Sequence, residues 1–410
     1  MRICLYEEPE IEGMLPNLRA KEHYRTQGYR QTMLYEGVSE SSFRIVCTSF
    51  NRRVRQDQNK GLSPSSLQYE LQSEAKQIEL NYERQSQQIL SKHDFDEQGE
   101  PQQSCSIEKE TTRKACSKAV KFAFAEMCEQ APDWLSGELK LEASDYEDQA
   151  STVYIGIDDV CNKRQKKKRE KTTTEIKLSN ERSGGKKKYK KRKFLFHTVV
   201  KIVAKEGNYS LTASKLRGVW PLLIALLLHN NFIRRRWILL VDGQRSLHEG
   251  LAGLLKWRPL HLILDWYHLR KKIHMQLYMA VSTSEQRDDI MLKLEQLAWH
   301  GLSQQAIDLV KQIPENLIKK QKPLDVLIGY FERNEKLIPN YAMRKKLGLV
   351  CSSNRVEKEN DFIISARQKH KGMSWTRNGS NAMATITAVK RNKQTEHWLQ
   401  NNTISLSVAA

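Results

Sequence analysis

WILLVDGQRSLHEGLAGLLKWRPLHLILDWYHLRKKI, residues 237–273, decides the fold class. Two largely apolar runs, Ile238 to Val241 and Leu260 to Leu264, each stop on an acid, Asp242 and Asp265. After each acid the period changes from that of a strand to that of a helix. The stretch therefore reads strand, helix, strand, helix, which predicts parallel strands with helices on the sheet. An acid after a strand commonly caps the next helix. Acids at the ends of neighbouring strands also converge on one crevice, where carboxylates hold hard cations.

Upstream, STVYIGIDDV (151–160) is β-branched and aromatic and predicts a strand ending on Asp158-Asp159. FLFHTVVKIVAKEGNYSLTAS (194–214) predicts two strands joined at Glu206-Gly207-Asn208, and SKLRGVWPLLIALLLHNN (214–231) a buried helix. From 151 the predicted order is β, β, β, α, β, α, β, α, so the fold class is α/β with a mixed sheet. Residues 284–347 then show only helical periodicity in four segments, with prolines at 314, 323 and 339. SSNRVEKENDFIISARQKHKGMSW (352–375) returns to a helix over 354–369.

Charge divides the chain at the same place. Residues 1–150 carry 19 Lys/Arg against 26 Asp/Glu, and residues 151–410 carry 49 against 22. A half this basic favours a polyanion, most simply nucleic acid. Two basic blocks, KRQKKKREK (163–171) and KKKYKKRK (186–193), lie between the first two strands. Their Lys166, Lys167, Lys168, Lys187, Lys188, Lys190, Lys191 and Arg192 are candidate DNA-backbone contacts, against the alternative of a solvated charge run. No membrane partner is expected: the apolar run 219–228 is short and contains Pro221, and no amphipathic basic helix with an aromatic face stands out. Seven scattered cysteines without a CxxC pair predict free thiols in a reducing compartment. MRICLYEEPEIEG is not a signal peptide, so a cytoplasmic protein is expected.

The acidic half is read as mainly helical. Residues 1–35 show no clear period; 39–56 and 62–90 predict two helices around Gly61, either a helix-turn-helix or a plain helical hairpin. Residues 91–150 read as a helical and acidic connector, and 377–410 as a C-terminal tail.

VYIGIDDV, VDGQRSLHEGL, LILDWYHLRKKI and SSNRVEKENDFIISARQKHKGMSW together resemble a DDE transposase of bacterial insertion sequences, similar to the Mutator-like group. The likeness covers about 151–376. It implies a ribonuclease-H-like core over 151–283 and 348–376, interrupted by an all-α insertion over 284–347, behind an N-terminal helical region over 1–90. It implies Asp158, Asp242 and Glu357 as catalytic metal ligands, with Asp159 and Glu359 as alternatives to the first and last. Asp265 and His268 match a supporting D-x-x-H element. The implied cofactor is Mg²⁺ or Mn²⁺, as two ions. The implied partners are double-stranded DNA, as element terminal repeats and as target, and a second copy of the chain in at least a dimer. The implied place is the bacterial nucleoid.

Overall fold

The computed structural model describes residues 27–39, 42–54, 61–95, 112–141, 144–165, 194–243, 245–256, 261–352, 354–369 and 373–408. Residues 166–193, which hold Lys166 to Lys168, Lys187, Lys188, Lys190, Lys191 and Arg192 of the basic blocks, lie outside these residues.

Helices α1 (Gln27–Glu36), α2 (Phe43–Arg53) and α3 (Pro64–Leu90) come first. The sequence pattern missed α1. The start of α2 falls at Ser42, whose side chain accepts from the Ile45 amide, and that of α3 at Ser63, which accepts from the Ser66 amide with Pro64 in the first turn. A short antiparallel pair, β1 (Thr112–Lys114) and β2 (Asp145–Glu147), encloses α4 (Lys118–Gln130) and α5 (Asp133–Ser136).

The main sheet holds β3 (Thr152–Lys163), β4 (Phe194–Ala204), β5 (Gly207–Ala213), β6 (Arg236–Val241) and β7 (His261–Leu264). Their order is β5-β4-β3-β6-β7, antiparallel on the β3–β4–β5 side and parallel on the β3–β6–β7 side. The chain thus has the mixed sheet and the element order expected. Helix α6 (Leu216–His229) leads into β6, α7 (Arg245–Leu254) joins β6 to β7, and α8 (Trp266–Ala280) follows β7. Four helices, α9 (Ser284–Trp299), α10 (Ser303–Lys311), α11 (Gln321–Asn334) and α12 (Tyr341–Lys346), stand where four were read. Helix α13 (Asn354–Asn360) continues through a π-turn, Asp361–Ser365, to Gln368, and α14 (Arg377–Arg391) and α15 (Thr395–Asn401) close the chain.

Alternation along the central strands gives each face its own core. Val153, Ile155, Ile157, Trp237, Leu239 and Val241 turn to one side and pack with Leu67, Leu71 and Ile78 of α3, with α6, and with Met383 and Ile386 of α14. Tyr154, Ile238, Leu240 and Ile263 turn to the other side, where α8 and the helices of 284–347 cover them. With both faces covered, the central parallel strand β6 is a near-continuous apolar run, WILLV, buried throughout.

Two expected boundaries are corrected by this packing. Within 1–90, α3 does not stand apart, because its apolar stripe is part of the sheet's own core. Residues 377–410 are not a loose tail either. Ten residues of α14 are buried, and Ile404, Leu406 and Val408 are buried beyond it. Backbone groups there are held by side chains: the Ile404 amide donates to Asn81 Oδ1 at 2.9 Å and the Val408 amide to Asn230 Oδ1 at 2.8 Å. A polar sequence around single apolar residues hid this, since its partners lie more than 170 residues away in the chain. Cys47, Cys116, Cys128, Cys161 and Cys351 are free thiols. Among the described residues no helix is long and apolar enough to cross a membrane.

Candidate active site

Register brings three acids level. Gly156 on β3 is the partner of Leu240 on β6, and Leu240 is the partner of Ile263 on β7. Two residues on from each stand Asp158, Asp242 and Asp265: Asp242 and Asp265 directly follow β6 and β7, whereas Asp158 lies inside β3, just past its parallel ladder with β6, because β3 runs on to Lys163 along β4 instead of ending at Asp158-Asp159. All three follow the parity of Tyr154, Leu240 and Ile263, so they belong to the face that carries α8 and α13. Asp159 has the opposite parity; it is exposed and accepts from the Thr198 hydroxyl on β4.

Helix α13 supplies the fourth acid. It lies against β3 because Gly156 has no side chain: a Cβ there would sit 2.9 Å from Cβ of Val356. Buried Val356 is thereby seated on the strand, and its neighbour Glu357 is carried to the strand ends. Glu359 points elsewhere. It is 3% exposed and is taken up by Lys201 Nζ at 2.9 Å and Arg391 Nη2 at 3.0 Å. Asp158 and Glu357, rather than Asp159 and Glu359, are therefore the acids where the parallel ladders end.

Gly156→Ala is expected to lower stability by about 1–3 kcal/mol, because the added methyl overpacks against Val356. It should also impair any function of Glu357. Thermal unfolding reads the first effect, and an unchanged midpoint would show that α13 shifts freely.

His268, one turn into α8, links the acids. Its Nε2 is 2.8 Å from Glu357 Oε1 and 3.7 Å from Asp265 Oδ2. Asp265 itself is fully buried and caps α8, accepting from the Tyr267 amide at 3.3 Å, while its own amide donates to the Val241 carbonyl at 2.8 Å. Asp265 thus fills the capping role expected of an acid after a strand. Two contributors were not read from the sequence. Asn360 lies one helical turn after Glu357, on the same face, and donates from Nδ2 to Asp158 Oδ2. Tyr330, from α11, donates to the Asp242 carbonyl at 3.4 Å. It comes so close because Gly243 has φ of +79° and no side chain; a Cβ there would lie 2.6 Å from the Tyr330 hydroxyl. The E-x-x-N spacing was a signal available in the sequence. Tyr330, 88 residues from Asp242, gave none.

Burial, then the charge of Asp242 and more weakly that of Glu357, pushes the Asp158 carboxyl up to about 6. For His268, burial favours the neutral ring, but the hydrogen bond to Glu357 and the charges of Asp265, Glu357 and Asp158 outweigh it and raise its pKa. Both groups thus hold protons more tightly folded than unfolded. For Asp158 the stabilisation is complete below its unfolded range, about 3.9, and is lost as pH rises through about 6. Without divalent cations, wild type should lose several degrees of melting temperature relative to Asp158→Asn between about pH 4 and about pH 7. Parallel curves for the two proteins would show that Asp158 is not crowded by like charge.

The charges of Asp242 and Glu357 reach the partly buried Asp158, and the buried Oδ1 of Asn360 has no hydrogen-bond partner. Oxygen donors of this kind are those that hard divalent cations take. Among the described residues a different trio is clustered: ligand atoms of Asp265, His268 and Glu357 lie within 4.8 Å of one another. Asp265 is committed to the cap and to the strand end, and His268 to Glu357, so this trio reads as the layer that orients Glu357. Gln368, just past the acid helix, is wholly buried in a network with Asn162 and Ser380, and Trp375 is buried and donates to the Gln368 carbonyl at 3.1 Å. Of the polar residues there, Lys369 is exposed. When the chain was compared with protein-family models, with curated proteins and with solved structures, none of them matched it.

Proposed function

We propose that the protein is a metal-dependent DNA phosphoryl transferase of the DDE type, an insertion-sequence transposase built on a ribonuclease-H-like core. The observation that carries the reading is the level placement of Asp158 and Asp242 on neighbouring parallel strands, with Glu357 brought to them over Gly156. The three carboxylates would hold Mg²⁺ or Mn²⁺, as a pair of ions. Cations so held supply Lewis-acid stabilisation of the phosphoryl oxygens and an activated attacking oxygen. His268 fixes the Glu357 carboxylate, Asn360 fixes that of Asp158, and Tyr330 fixes the turn after Asp242. The helices over 284–347, standing between α8 and α13, correspond to the all-α insertion, and they reach the site through Tyr330 and through Tyr341, whose hydroxyl donates to the Leu264 carbonyl at 2.7 Å. The excess of 49 Lys/Arg over 22 Asp/Glu in residues 151–410 suits a DNA partner. Joining two element ends calls for at least two copies of the chain.

Incubation with Mg²⁺ and duplexes carrying the element ends should nick the DNA and leave 3′-hydroxyls. Cleavage confined to RNA–DNA hybrids would assign the same acids to a ribonuclease instead. No divalent-dependent cleavage of either substrate would overturn the reading.

A further inference from the structure

One face of α8 begins at the acids and is left exposed by the described residues. Leu269, Ile273, Gln276, Leu277 and Ala280 form its buried side. On the opposite side Tyr267 is 45% exposed, Met275 47%, Tyr278 56% and Met279 42%. With exposed Lys271 these positions recur at helical spacing, so they line a single stripe of roughly 18 Å. Cations lie over both aromatic rings: Lys271 Nζ is 5.7 Å from the Tyr267 ring centre, and the Arg287 guanidinium is 4.1 Å from that of Tyr278. Tyr267 also stands edge-on to His268, at 5.5 Å between ring centres, and His268 holds Glu357.

We infer that this stripe is a track for an unpaired nucleic-acid strand, on which Tyr267 stacks the base beside the acids and Tyr278 a base further out. The inference rests on the proposed function for its substrate and names how that substrate is held. Tyrosine offers a flat face to any base, and exposed Lys271 meets the phosphate beside Tyr267, while Arg287, ion-paired with Asp288, braces the Tyr278 ring; an alternation of ring and positive charge is how proteins hold single strands. Apolar side chains alone would fit a protein partner equally well. The placing of exposed Lys271 over the Tyr267 ring favours a polyanion. A duplex lying on the site would have to open at this point, consistent with an aromatic side chain taking up a displaced base.

The test uses the full chain with Asp242→Asn, so that no strand is cut during the measurement, and a duplex with a short single-stranded 3′ overhang carrying 2-aminopurine. Binding should quench the probe. Tyr267→Phe should keep the quench, and Tyr267→Ala should lose it and weaken overhang binding about tenfold, with fully paired duplex affected little. Equal quenching by Tyr267→Ala and wild-type Tyr267 would overturn the inference. So would a change in self-association, or in binding to anionic vesicles, that follows Tyr267→Ala and Tyr278→Ala while overhang binding stays constant. The two readings fail separately. Carboxylate-dependent cleavage without the quench removes the track alone, and the quench without carboxylate-dependent cleavage removes the transferase.

Discussion

Asp242→Asn is expected to abolish strand cleavage, by at least about a thousandfold, a loss of roughly 4 kcal/mol of transition-state stabilisation. The exchange keeps the size of the side chain and removes its charge. Asp242 stands at the end of β6, level with Asp158, and its charge is one cause of the raised Asp158 pKa. Its loss should therefore leave the fold intact and let the Asp158 carboxyl fall back toward its ordinary range. Three readouts follow from one variant: cleavage gone, DNA affinity retained, and melting temperature equal to or above that of wild type in the absence of divalent cations. The turn that follows is held through the Asp242 main-chain carbonyl and Gly243, which the substitution does not touch. Cleavage that survives in Asp242→Asn would remove this residue from the site.

The largest effect on stability is expected from Arg344→Met. Arg344, on α12, is buried and grips Glu147 of β2 with two nitrogens, Nη1 to Oε2 at 3.0 Å and Nη2 to Oε1. It also donates to the Val350 carbonyl from Nε at 3.0 Å and Nη2 at 2.9 Å. Arg344 so ties the last helix before α13 to the strand pair that precedes the sheet. Burial alone would raise the Glu147 carboxyl, yet the Arg344 hydrogen bonds and charge hold it below its usual range. Methionine would leave that carboxylate buried without its guanidinium, at a cost of about 3–5 kcal/mol. A carboxyl depressed in the folded chain stabilises above its unfolded range and loses that effect as pH falls, so the cost should be greatest near neutrality and shrink in acid. Denaturant unfolding of Arg344→Met, Glu147→Gln and the double variant measures it. Strict additivity in that cycle would refute the coupling.

The sheet was legible because its signals are local. WILLV is an unbroken apolar run, as a strand covered on both faces must be, LIL of the edge strand is a shorter one, and the acids after them mark where the chain leaves the sheet. The prolines at 314, 323 and 339 punctuate the helices of 284–347 in the same local way. Other features depend on distant partners. Helix α3 reads as a polar helix until α6 and α14 are placed on its stripe of Leu67, Leu71 and Ile78. Glu359 is claimed by Lys201 and Arg391 from 158 and 32 residues away, partners that no local pattern announces. Gly156 looked like an ordinary strand residue, since its purpose becomes visible only when Val356 is seated on it. The aromatic stripe of α8 escaped notice because WYHLRKKIHMQLYMA mixes buried and exposed apolar side chains, and only the packed helix separates them.

The most direct test of the central claim is titration of Mn²⁺ into the full chain bound to duplex DNA, followed by calorimetry. Wild type is predicted to bind Mn²⁺, and Asp158→Asn, Asp242→Asn and Glu357→Gln are each predicted to weaken that binding strongly, while His268→Ala weakens it less. Binding that survives the loss of Asp158 and Asp242 but disappears with His268 would contradict the account and place the cation with Asp265, His268 and Glu357 instead.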